Sequence, residues 1–82
     1  MDMMEFLKEV ASGKTGFHTS SDAIDDLATF QQLAEVALQA EALGYVDAIE
    51  TRKESFTGHR FYSIVIIRRG ITNTGREAIA KF

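Results

Sequence analysis

The chain has no cysteine and no proline, and its first fifty residues hold only two basic side chains, Lys8 and Lys14. Without cysteine there is no disulfide, no thiol chemistry and no cysteine-ligated zinc. Without proline, helices and strands run free of their strongest breaker. No apolar run approaches the ~18 residues that a membrane-spanning helix needs. The opening residues, Met1-Asp2-Met3-Met4-Glu5, are acidic where a secretory signal would be basic. These absences lead us to expect a soluble, cytoplasmic protein that binds neither membrane nor cofactor.

What is present fits one small domain spanning residues 1–82. A chain of 82 residues buries only about 60–65% of its extended-chain surface, so it has one modest core. Its 45% hydrophobic content supports such a core. The charge is unevenly placed. Residues 1–50 carry ten acids and two bases, or −8; residues 51–82 carry two acids and seven bases, or +5; the sum is the net −3. Such asymmetry points either to a nucleic acid or an oppositely charged partner, or to pairing between the two halves.

The chain is organised around 45–75. Tyr45–Arg52 suits a pleated strand, and Arg60–Arg68 is richer in aromatic and β-branched residues. Alternation puts Phe61, Ser63, Val65 and Ile67 on one face of the second run. Tyr62, Ile64 and Ile66 share the other with Arg60 and Arg68. Both faces are apolar at their middle, so the second needs cover, which another copy of the chain could provide. The first run is ambiguous, because Val46 and Ala48 alternate with Tyr45, Ile49 and Thr51. Lys53–His59 reads as the connection, with Gly58 supplying a positive φ.

Helices surround this hairpin. Asp2–Ala11 shows apolar residues at three- and four-residue spacing, with Asp2 as cap. Gly13-Lys14-Thr15-Gly16 lacks the upstream glycine and preceding strand of a phosphate-binding loop. Ser20 or Ser21 would cap the next helix, with Asp22, Asp25 and Asp26 near its positive end. Periodicity leaves open whether this helix breaks at Thr29 or runs on to Leu43. At about 100° per residue, Gln31, Gln32, Glu35, Gln39 and Ala42 fall on one narrow wet strip. Gly44 ends the helix, and Thr72 caps a last helix over about Asn73–Lys81. Ala78, Ile79 and Phe82 would pack against the first helix.

Three phrases resemble the winged-helix superfamily. Leu43-Gly44-Tyr45-Val46 is similar to a third helix entering the wing, and Gly58-His59-Arg60-Phe61-Tyr62 to the return strand. Ile71-Thr72-Asn73-Thr74-Gly75 resembles the leucine-threonine-x-x-glycine step into the last helix of the multiple-antibiotic-resistance and related bacterial regulators. The resemblance covers roughly Ser20–Ala80. It implies an α+β, winged-helix-like fold: three N-terminal helices, a two- to three-stranded antiparallel wing and a short C-terminal helix. It favours a helix break near Thr29 and a short strand at Phe17-His18-Thr19 beside the wing, with Phe17 in the core and His18 at the surface. It also implies a DNA-binding transcriptional regulator.

On that reading, Gln31, Gln32 and Gln39 are the base-reading candidates, because glutamine can pair with adenine in the major groove. Arg52, Lys53, His59 and Arg60 are the candidate phosphate contacts around the wing tip. The helix itself carries no lysine or arginine and two glutamates, Glu35 and Glu41. That acidity suits a second reading, a protein-interaction or dimerisation module, with Phe56 and Phe82 as candidate partner contacts. An enzyme is not expected. His18 and His59 lie on separate segments, no carboxylate pair suggests a cleft, and so small a domain has little room for a substrate cavity.

Overall fold

A computed structural model describes residues 1–19, 24–56 and 58–81; the side chains of Ile24 and Phe56 fall outside that description. The elements run α1 (Met3–Ala11), β1 (Gly16–His18), α2 (Ile24–Ala42), β2 (Val46–Phe56), β3 (His59–Ile71) and α3 (Asn73–Lys81). The three strands form one antiparallel sheet in the order β1-β3-β2. The architecture is α+β, as expected, but the described residues form three helices where four were expected: two precede the hairpin, not three, and the last follows it.

The expected break at Thr29 is absent. The Thr29 hydroxyl donates to the Asp25 carbonyl one turn back (3.0 Å), so it is satisfied inside the helix. Leu27, Phe30, Ala34, Ala37 and Ala40 form one unbroken buried face through that point. Small alanines let the helix lie close to the sheet. The wet strip is as the periodicity predicts, with Gln32, Glu35, Gln39 and Ala42 exposed and Gln31 half-buried. Leu43, which the same periodicity assigns to the core, is 51% exposed. It lies just past the helix end, where the chain turns away. There the Gly44 N–H donates to the Glu41 carbonyl and the Tyr45 N–H to the Ala40 carbonyl, with Gly44 at φ 79°. This is a Schellman turn, and glycine fits its left-handed position without strain. The Ser20/Ser21 cap and Asp22 lie outside the described residues.

α1 starts where Asp2 accepts the Glu5 N–H at 2.8 Å. It buries Phe6, Leu7 and Val10, and the Phe6 ring stacks on Phe17 of β1 at 5.4 Å. Burying Phe6 and Leu7 contributes roughly 1.5–3 kcal/mol each. His18 is exposed, as expected. The rest of the core comes from Val46, Val65, Ile67 and Ala78.

The hairpin is longer than its sequence suggests. Both strands run through what reads as a loop, leaving only 57–58 between them. Two irregularities shift the pairing, between Asp47 and Ile49 and between Arg52 and Lys53. At the first, Ala48 takes φ 57° and Glu41 receives the Ile49 N–H at 2.7 Å. The extra residue is on β3, where Arg68 and Arg69 stand against Ala48 alone, and the left-handed Ala48 changes the phase of β2, so Val46 and Ile49, three apart, both reach the core. That resolves the ambiguity of this run. At the second, Ser63 is the unmatched residue. Beyond it Tyr62 packs against the core, while Phe61 meets the His59 ring edge-on. The face assignment of Phe61 and Tyr62 from simple alternation is therefore corrected, because the bulge inverts it.

α3 is joined tightly to the start of the hairpin. The Thr72 N–H donates to the Tyr45 carbonyl, the Thr72 hydroxyl sits within reach of the Gly44 and Tyr45 carbonyls, and it accepts the Gly75 N–H at 3.0 Å. A Cβ on Gly75 would lie 2.2 Å from the Tyr45 oxygen. Only glycine lets the helix approach so closely. Ala78 is buried and Ile79 packs on the core, as expected, while Phe82 lies outside the described residues.

Candidate functional site

β3 has a covered flank on the β1 side. Ile67 donates to Thr15, Phe17 pairs with Val65, and Thr19 donates to Ser63. One step further, a side chain takes over from the strand. The Gln31 amide accepts the Tyr62 N–H at 2.8 Å and donates to the Tyr62 carbonyl at 3.0 Å, with a second contact to the Leu27 carbonyl. Both ends of the amide are used on backbone. Gln31, proposed from sequence as a base reader, is thus committed to the fold. Gln32 and Gln39 remain exposed on α2, together with Glu35.

The basic residues of the hairpin fall into two groups. At its base, the Arg68 guanidinium pairs with Glu50, its Nε donating at 2.7 Å, and Arg69 lies 3.6 Å from Asp47. These pairs join the basic half of the sequence to the acidic half, so part of the charge asymmetry is internal. From the middle of the hairpin to its far end, Arg52, Lys53, His59 and Arg60 are all exposed. Among the described residues no carboxylate pairs with any of them. Lys53 lies over the Tyr62 ring, 4.6 Å from its centroid, which fixes its stem and leaves the ammonium at the surface. The pairing places Ser55 opposite Arg60 and Phe56 opposite His59. Three of the sequence candidates, Lys53, His59 and Arg60, are therefore in the outer part of the hairpin, while Arg52, opposite Ile64, stands near its middle. Of the partner-contact candidates, Phe56 is placed in the outer part by its backbone, and Phe82 lies outside the described residues.

A cleft of about 410 Å³ opens between β1 and α2 and gathers Glu9, Lys14, His18 and Asp26. Sequence reading missed this grouping, because the four residues come from separate elements with no common spacing. Among the described residues no group of three or more His, Cys, Asp or Glu is placed to hold a metal ion. No helix there is long and apolar enough to cross a membrane.

No protein-family model matches the chain, and no curated protein or solved structure is significantly similar to it.

Proposed function

We propose that the protein is a winged-helix-like, DNA-binding domain, acting as a transcriptional regulator, whose hairpin end contacts the phosphate backbone. One observation carries the reading. The cations at the base of the hairpin are paired with Glu50 and Asp47, while Arg52, Lys53, His59 and Arg60, from its middle to its end, have no carboxylate partner among the described residues. Unpaired cations on a projecting element are what phosphate contact needs, since such contacts supply most sequence-independent affinity. The helix–strand–helix–hairpin–helix order and the close step of Thr72 and Gly75 into α3 support the winged-helix part of the reading. Because α2 offers no cation and Gln31 is engaged, the hairpin and not the helix carries the contact.

The test is a titration of fluorescently labelled random-sequence duplex DNA, followed by anisotropy at low and at physiological salt. Binding that weakens steeply with salt is expected. Absence of binding at low salt would end this reading. A protein-interaction role is the second reading. It is favoured by Ile64 and Ile66, which are half-buried yet stand outside the core.

A further inference from the structure

The two flanks of the sheet are treated differently. β3 is closed on one side by β1 and then by Gln31. β2 spans eleven residues and, among the described residues, has no strand on its outer side. Its hydrogen-bonding direction follows from the ladder. Ile67 turns its N–H toward Thr15, so Ile49 opposite it faces outward, where Glu41 receives its N–H. Thr51, two residues on, faces the same way. Among the described residues no side chain bonds to it.

We propose that β2 is the pairing edge for a second copy of this chain, the two strands running antiparallel about a two-fold axis at Thr51. Charge selects the register. In a two-fold pair the central residue faces its own copy. Centring on Thr51 gives the longest overlap, pairs the outward backbone of Thr51 with its own copy, leaves the Ile49 amide to Glu41, and sets each Glu50 opposite Arg52 of the partner subunit. Centring on Glu50 sets two carboxylates face to face. Centring on Arg52 opposes two guanidiniums and also Glu50 with Glu54. Of the three longest registers, only the Thr51 register opposes unlike charges without a like pair.

Glu50 and Arg52 lie on the same face, since they stand opposite Ile66 and Ile64 in β3. Glu50 already holds Arg68 on one side, so Arg52 of the partner subunit completes a three-charge row across the joint. Lys53 of the partner subunit arrives opposite Ile49, beside the Glu41 carboxylate. The joint would draw Arg52 and Lys53 away from the DNA-contacting end and leave His59 and Arg60 at its two extremities. It stands independently of DNA binding, because it is measured without nucleic acid.

Sedimentation velocity across a wide range of protein concentration tests the pairing. The unaltered protein is expected to dimerise reversibly. Arg52→Glu alone and Glu50→Arg alone should each weaken the dimer by about tenfold or more, since two cross-strand pairs turn from attraction to repulsion. Mixing the two variants should restore association as a heterodimer, because every facing pair is then of opposite sign. A monomer at all concentrations, or equal dimerisation of both variants and no gain on mixing, overturns the proposal. Hydrogen exchange on the unaltered protein gives a second test that needs no variant. The Thr51 amide should become protected as concentration rises. Rapid exchange at every concentration also overturns it.

Discussion

The base and the far end of the hairpin are built from the same two strands and behave as opposites. At the base, nearly every polar group is engaged. Thr72 ties α3 to Gly44 and Tyr45, Glu41 holds the Ile49 amide, and Arg68 and Arg69 face Glu50 and Asp47. From the middle to the far end, Arg52, Lys53, Glu54 and Ser55 are exposed on one strand and His59 and Arg60 on the other. A sheet region that spends its charges on itself is structural. One that leaves them to solvent has charge available for a partner. The comparison teaches that cation count alone says little about a binding surface, since four arginines share β2 and β3 and two of them are already paired.

Substitutions at the base should cost stability, and those at the end should cost binding. The largest effect is expected from Gly75→Ala. Its Cβ would collide with the Tyr45 backbone oxygen at 2.2 Å, so α3 must move away. A loss of about 3 kcal/mol or more, at the upper end for overpacking, should appear in denaturant unfolding. A near-unchanged midpoint would show that α3 is not seated as described. Gln31→Met keeps the bulk of the side chain but leaves the Tyr62 N–H and carbonyl without their partner. The expected loss is about 1–3 kcal/mol, with faster hydrogen exchange at Tyr62 as the local signature. Ala48→Gly should move the other way. Ala48 holds φ 57°, a region that costs a residue with a Cβ about 1–2 kcal/mol, while glycine's added chain entropy takes back part of the gain. A net stabilisation of about 0.5–1 kcal/mol is expected in the same assay. A destabilised variant would contradict the left-handed bulge. Smallest in stability is Arg60→Glu, expected to lie within about 0.5 kcal/mol of the parent. Its effect belongs to the anisotropy titration, where affinity for all duplexes should fall and the salt slope should flatten by about one unit. Equal DNA affinity would remove the hairpin end from the mechanism.

Much of this fold was legible in the sequence, and the failures have one physical origin. α1, the Gly44 turn, the Thr72 cap and the wet strip of α2 follow from local rules of capping and periodicity, and β1 from the resemblance. The two bulges do not, because a bulge is a property of two strands together. Val46, Ile49, Phe61 and Tyr62 could not be assigned to faces until the pairing was known. The helix break failed for a related reason. It rested on resemblance at Thr29, periodicity left the point open, and the continuous buried face Leu27–Phe30–Ala34 is set by packing on the sheet. Of the candidate site, the clustering of Lys53, His59 and Arg60 was visible once the strands were recognised. The engagement of Gln31 was not, since it joins residues 31 positions apart.

That Gln31 contact bears on how the chain folds. α2 is local in sequence and can form early, whereas the pairing of β3 with β1 must close a long loop. A helix already formed presents one amide at one height. Tyr62 fits that amide only when β3 is correctly aligned. A strand that slipped by two residues would keep its alternation but would bring Ile64 or Arg60 to the amide and carry the bulge at Ser63 out of place. The helix thus acts as a gauge for the sheet, and the position of β3 is fixed by a side chain as well as by β1, only three residues long.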